Sequence, residues 1–297
     1  MIDGVLVVDK PAGPTSHDAV ARARRALGER RIGHTGTLDP AATGVLALVV
    51  GRATRLSRFL TATAKTYQAT VRFGVTTDTY DREGATTGGT GTAPDRAALE
   101  AALASFRGTF PQAPPAYSAK KIAGERAYAL ARREAAVQPA AVPVTVHALA
   151  LEAFEAPVAV LTVTASPGFY VRSLAHDLGQ ALGTGACLDA LRRTRSGAFG
   201  LEAATAWEDL VPDQRATLVD RVIGLDALLP DLPAVTLTED GARRARHGQA
   251  LGPSQAEGGA WAAAAGATVR LLTATGTLVG LAEPGPGGTL HPSVVLG

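Results

Sequence analysis

The sequence predicts an α+β fold, and three observations carry that expectation. Strand-like and helix-like segments are mixed without a regular strand–helix–strand alternation, so a doubly wound parallel sheet is not expected. Lys65 to Phe73 alternates strictly, with Tyr67, Ala69, Val71 and Phe73 on one face and Thr66, Gln68, Thr70 and Arg72 on the other. After about residue 232, short apolar runs alternate with Gly/Pro turns, which reads as a small β-rich unit.

The elements follow in order. Gly4 to Val8 is a short apolar strand closed by Lys10-Pro11-Ala12-Gly13-Pro14, and Thr15-Ser16 offers an N-cap for a helix from about His17 to Leu27. Val45 to Val50 reads as a buried strand and Thr54 to Leu60 as a short helix. Thr76 to Thr92 reads as a hairpin or long loop, Asp95 to Phe106 as an Ala-rich helix, and Pro111 to Pro115 as the end of that unit. Tyr117 to Tyr128 interleaves bases with aromatics before a helix to about Arg133, the pattern either of an RNA-contacting loop or of a solvated basic helix. Strands are expected in Val142 to Phe154 and Val158 to Ala165, then a helix with Val171, Leu174, Leu178 and Leu182 on one face. Residues 201–231, acidic and ending Leu229-Pro230-Asp231-Leu232-Pro233, are the linker candidate. Beyond them, Val269 to Leu272, Leu278 to Leu281 and Val294 to Leu296 read as strands.

At a prior of about 150 residues per domain, the 297 residues suggest two domains, placed at 1–231 and 232–297, the first with a candidate RNA-clamping insertion over 116–140. No apolar run approaches the roughly 18 residues that span a bilayer, and the N-terminus lacks the pattern of an export signal, so a cytoplasmic protein is expected. The single cysteine, Cys187, leaves no partner for an internal disulfide, and the histidines have no ligand spacing, so no metal is expected. The net charge of +2 hides an asymmetry: residues 1–200 carry 23 Lys+Arg against 16 Asp+Glu, residues 201–231 carry 2 against 7, and the remainder 4 against 4. A basic first part fits a polyanionic partner or simply a solvated surface.

The segment Gly33-His34-Thr35-Gly36-Thr37-Leu38-Asp39-Pro40-Ala41-Ala42-Thr43-Gly44-Val45-Leu46 sets one carboxylate among glycines and small polar residues before a buried run. Pro40 stiffens the chain beside Asp39. The segment resembles the G-H-T-G-x-L-D-P-x-A-T-G-x-L signature of the tRNA pseudouridine synthase B family. The order of Asp9-Lys10-Pro11, Lys65-Thr66-Tyr67, Pro115-Ala116-Tyr117-Ser118-Ala119-Lys120, Gly168-Phe169-Tyr170-Val171-Arg172-Ser173 and Leu191-Arg192-Arg193 extends the resemblance over most of residues 1–200.

That resemblance implies a mixed, largely antiparallel sheet with flanking helices, a PUA-like RNA-binding C-terminal domain, and isomerisation of the T-arm uridine (position 55) of tRNA to pseudouridine. It implies Asp39 as the catalytic carboxylate, His34, Tyr67, Tyr170 and Leu191 lining the uridine pocket, and Arg172 paired with Asp39. Lys10, Lys120, Lys121 and Arg126 are RNA-binding candidates. No cofactor is implied, because the reaction moves one glycosidic bond without oxidation or loss of a group; nor is an obligatory protein partner. Phe169 departs from the small hydroxyl residue usual there. A guide-RNA-dependent relative and a non-catalytic tRNA-binding or folding module are the alternatives.

Overall fold

The computed structural model describes residues 2–117, 121–122, 125–126, 139–258 and 267–297. The chain runs β1 (Gly4–Lys10), α1 (Ser16–Leu27), β2 (Ile32–His34), β3 (Thr43–Val50), α2 (Ser57–Thr61), β4 (Lys65–Phe73), β5 (Thr76–Thr77), β6 (Thr86–Gly88), α3 (Arg96–Ala104) and β7 (Gly108–Gln112). Then come β8 (Lys121–Ile122), β9 (Glu125–Arg126), β10 (Val142–Glu155), β11 (Val158–Ala165), α4 (Val171–Ala181), β12 (Ala186–Ser196), β13 (Phe199–Gly200) and β14 (Thr205–Ala206). The chain finishes with α5 (Arg215–Asp220), β15 (Ile223–Gly224), β16 (Ala234–Thr236), α6 (Glu239–Arg246), β17 (Val269–Leu272), β18 (Leu278–Pro284) and β19 (Leu290–Val295).

One large sheet, ordered β14-β1-β3-β12-β4-β11-β10-β7 along its main path, organises the fold. Its pairings are antiparallel except β1 with β14 and β3 with β12, so the α+β, largely antiparallel expectation holds. β1 and β3 are buried on both faces, which explains their continuous apolar runs. Leu6, Val8, Leu46 and Leu48 pack under Ala19, Val20, Ala23 and Leu27 of α1. Val5, Val7, Val45 and Val49 face Leu56 and Leu60 on the other side, together with Leu278, Leu281 and Leu296 from the C-terminal part. In the other half of the sheet, Val71, Leu161 and Val163 pack with Leu99 and Leu103 of α3 and Leu174 and Leu178 of α4.

Three expectations are corrected. Pro111 does not end a unit but lies within β7, where a residue without an N–H is tolerated because β7 is, among the described residues, the last strand on its side of the sheet. Ala186–Ser196, not expected as a strand, runs between β3 and β4. The acidic segment is no extended linker: β14 and β15 pair with β1, and Leu210, Leu218 and Leu228 are buried. The C-terminal part is a four-stranded sheet, β16-β17-β18-β19, with α6 packed on it. Lys120 and the helix expected to Arg133 lie outside the described residues, and Lys121 and Arg126 enter only as paired backbone of β8 and β9.

Candidate active site

Asp39 stands in a turn that its own sequence builds. The Ala42 N–H donates to the Asp39 carbonyl at 3.1 Å, with Pro40 in the second position, where its fixed φ favours the turn. The rest of the fold then immobilises this turn. The Ser16 hydroxyl, at the start of α1, donates to the Leu38 carbonyl at 3.0 Å and accepts from the Leu38 N–H at 2.8 Å. The Pro40 carbonyl accepts from the Gly13 N–H at 2.9 Å and from Lys10 Nζ at 3.1 Å.

Lys10 is therefore not a surface contact for RNA. It is fully buried, and its ammonium also donates to the carbonyls of Pro11 (2.8 Å) and Pro14 (2.9 Å). Burial lowers its pKa to about 8, opposed by the Asp39 charge and aided by Arg193. A lysine sealed in this way cannot pair with phosphate, so the expected RNA-binding role is withdrawn.

A row of paired residues crosses the sheet beside the turn: Lys10 opposite Gly44, Gly44 opposite Arg193, Arg193 opposite Tyr67. Directly opposed residues share a face, so the register delivers Lys10, Arg193 and Tyr67 to the same side. Gly44 is required there. It has φ +100, and a Cβ would lie 2.1 Å from the Arg193 carbonyl oxygen. Arg193, only 2% exposed, donates to the carbonyls of Val45 (2.7 Å), Gly36 (3.1 Å) and Thr37 (3.4 Å), tying the loop ahead of Asp39 to β12. Burial pushes its pKa down, while interaction with the Tyr67 hydroxyl supports its charge.

Arg172, in the first turn of α4, reaches the Asp39 carboxylate at 3.0 Å. It also meets Asp81 at 3.4 Å and donates to the carbonyls of Thr79 (3.2 Å) and Tyr117 (3.0 Å). The guanidinium is 8% exposed while the Asp39 carboxylate is 45% exposed, so a fixed cation orients a carboxylate still open to a ligand. Upstream, the buried Gln112 side chain donates to the Tyr170 carbonyl at 3.1 Å and accepts its N–H at 2.8 Å, pinning the entry to α4.

These groups surround a cavity of about 250 Å³ lined by Asp39, Tyr67, Tyr170, Arg172 and Leu191, together with Lys65, Arg193, Leu38, Phe169 and Val171. The structure thus brings together five of the expected site residues. It does not place His34 among the lining residues: that ring meets His17 edge-on at 5.5 Å, and its Nδ1 accepts from the Gly36 N–H at 3.4 Å. Lys65, Arg193 and Gln112 were not anticipated as site residues. The Lys65 ammonium donates to the carbonyls of Thr61 and Thr63, and its burial, with Arg193 nearby, lowers its pKa to about 8. Strand alternation placed Lys65 on the Tyr67 face and could have flagged it.

Three cations around one open carboxylate favour an anionic ligand, and the cavity is smaller than the range of about 300–1,000 Å³ usual for ligand pockets. It suits one nucleoside with its flanking phosphates rather than helical RNA. Asp81 shares Arg172 but is not among the lining residues, so among the described residues the cavity lacks the carboxylate pair of ordinary glycosidases. Among the described residues no cluster could hold a metal ion, and no helix is long and apolar enough to cross a membrane.

Comparison with known proteins gives matches along the chain. Residues 24–171 match the TruB family pseudouridylate synthase N-terminal domain, 172–229 the tRNA pseudouridylate synthase B C-terminal domain, and 233–296 the pseudouridine synthase II TruB C-terminal domain. A tRNA pseudouridine synthase B of Solibacter usitatus is 45% identical over 99% of this chain and 100% of its own. That of Gloeobacter violaceus is 49% identical over 86% of this chain and 89% of its own. In fold, the chain is similar to one in a Cbf5-Nop10-Gar1 complex, with a TM-score of 0.76 and 25% identity over 99% of this chain and 85% of the other.

Proposed function

Because the chain belongs to the TruB family of pseudouridylate synthases, we propose that it acts alone on tRNA, converting the T-arm uridine to pseudouridine with Asp39 as the catalytic carboxylate. The reaction breaks the N1–C1′ bond, turns the uracil within the pocket and joins C5 to C1′. Atoms and oxidation state are conserved, so side chains alone can supply the chemistry.

The observation that carries this reading is the Asp39 carboxylate, open to the cavity and held by Arg172 at 3.0 Å, beside Tyr67 on the adjoining sheet face. Asp39 attacks covalently or stabilises positive charge developing on the sugar; either role requires an ionised, oriented carboxylate. Tyr67 stacks on the uracil and is the candidate base for the C5 proton. Leu191 and Phe169 supply apolar walls, and Lys65 and Arg193 the positive field. The target lies in a folded loop and must be extruded to enter so small a cavity. His34, outside the lining, is assigned to RNA flanking the extruded nucleotide. Residues 1–231 are assigned to catalysis, with 116–140 as the clamp carrying Lys120, Lys121 and Arg126, and 232–297 to RNA binding.

The test is pseudouridine formation in an unmodified tRNA transcript by purified protein, without guide RNA or cofactor, for wild type and Asp39→Asn. Product at the T-arm uridine with wild type alone is expected. Tight tRNA binding without product from wild type would favour the binding-module reading, and product only with added guide RNA the guide-dependent one.

A further inference from the structure

We propose that the stack of Tyr80 on His176 is a positioning device for the reaction, holding the 79–81 turn against α4 so that Asp81 and the Thr79 carbonyl keep Arg172 aimed at Asp39. This rests on the proposed function and adds two residues that touch neither the cavity nor Asp39.

Arg172 and His176 are four residues apart on α4 and so lie one turn apart on the same face. Both contact the same short turn. Arg172 meets Thr79 and Asp81, and the His176 ring lies on the Tyr80 ring with centroids 3.8 Å apart and planes 12° from parallel. The turn has its other footing on β12: the Leu188 N–H donates to the Tyr80 carbonyl, and the Arg82 N–H to the Leu188 carbonyl, each at 2.9 Å. Asp81 is braced from within by Thr79 Oγ1, which donates to its carboxylate at 2.7 Å.

Two costs are built into this contact. Tyr80 has φ +64, a left-handed conformation that bulky side chains rarely adopt. His176 Nδ1 is shut off from solvent and has no hydrogen-bond partner among the described residues. A turn needing only the backbone would carry glycine at this φ. What both residues contribute is the ring face. Burial favours the neutral imidazole, which suits a stack one turn from the Arg172 guanidinium.

The contact works through Asp81 and Arg172, and that coupling separates positioning from general support. Single-turnover rates and tRNA affinities are measured on an unmodified transcript for Tyr80→Phe, Tyr80→Gly, His176→Phe and His176→Leu, alone and with Asp81→Asn, with thermal melting recorded for each. Tyr80→Phe and His176→Phe keep two stacked rings and should stay within about threefold of wild type, whereas Tyr80→Gly and His176→Leu should each lose about tenfold in rate at unchanged affinity. With Asp81→Asn present, His176→Leu should add less than about threefold, well short of its loss alone, because the charged part of the path it supports is already cut and only the Thr79 carbonyl remains. Wild-type rates in both Tyr80→Gly and His176→Leu, a loss confined to affinity, or losses that multiply in full with Asp81→Asn would overturn the proposal while leaving the proposed function standing. Absence of product from wild type would overturn both.

Discussion

Lys10→Met keeps a four-atom apolar stem and removes the ammonium, which tests whether a buried charge holds the catalytic turn. In the folded protein Nζ serves three carbonyls, those of Pro11, Pro14 and Pro40, and among the described residues the last alone has a second donor, the Gly13 N–H. Losing the ammonium leaves two part-buried acceptors unmet, at about 1 kcal/mol each. Against this, a pKa lowered from 10.5 to about 8 means that near neutrality the fold spends about 3 kcal/mol on keeping this lysine charged, a cost methionine does not carry. The two nearly offset, so Lys10→Met should lie within about 2 kcal/mol of wild type at pH 7. The pH dependence is sharper. Because the folded pKa lies below the unfolded one, the unfolded chain binds more protons between pH 8 and 10.5, and wild-type stability rises with pH across that window. From pH 7 to pH 9.5 the gain from Lys10 is about 2 kcal/mol, and Lys65, lowered likewise, is common to both proteins and cancels. Urea denaturation at the two pH values should show wild type gaining about 2 kcal/mol more than the variant, with equal m-values. Parallel gains would refute the assignment of Lys10 as a buried, charged anchor. Turnover at pH 7 should fall about tenfold or more in Lys10→Met, since the Pro40 anchor beside Asp39 is weakened.

Arg172→Lys keeps one charge but cannot span Asp39, Asp81 and two carbonyls, so turnover should fall about 100-fold with little change in tRNA affinity; equal loss in both would make Arg172 an RNA contact instead. Tyr67→Phe keeps the ring and loses the hydroxyl beside Arg193, so turnover should fall about tenfold or more, and a near-normal rate would remove the phenol from proton abstraction. Gly44→Ala sets a methyl against the Arg193 carbonyl at positive φ and should cost about 3 kcal/mol or more by urea denaturation; a loss under about 1 kcal/mol would mean that β3 and β12 can separate there.

Periodicity made most of the fold legible, and two of its failures share one cause: they occur where cationic side chains turn inward. Thr15 caps α1 and Lys65–Phe73 is β4, because capping and alternation are local. Ala186–Ser196 hides in plain charge. Its arginines read as surface, yet Arg193 is buried to hold the loop before Asp39, and Arg192 pairs with Asp9 at 2.6 Å. Lys10 misleads in the same way. A lysine is exposed by default, and its burial here depends on proline carbonyls, one of them thirty residues away, whose convergence no local pattern encodes. The acidic segment reads as a linker because Leu210, Leu218 and Leu228 are too sparse to set a period, although each is buried. The site follows the same logic. Asp39 stood out through the stiff turn around it, but its link to Arg172, 133 residues on, was accessible only through family resemblance. Once the fold is known the dependence reverses: β12 supplies Arg193 to the loop, α4 supplies Arg172 to the carboxylate, and β1 supplies Lys10 to the turn. The catalytic carboxylate can stay open to substrate because the backbone around it is held from elsewhere: by the buried charges of Lys10 and Arg193, by the Ser16 hydroxyl and by the Gly13 N–H.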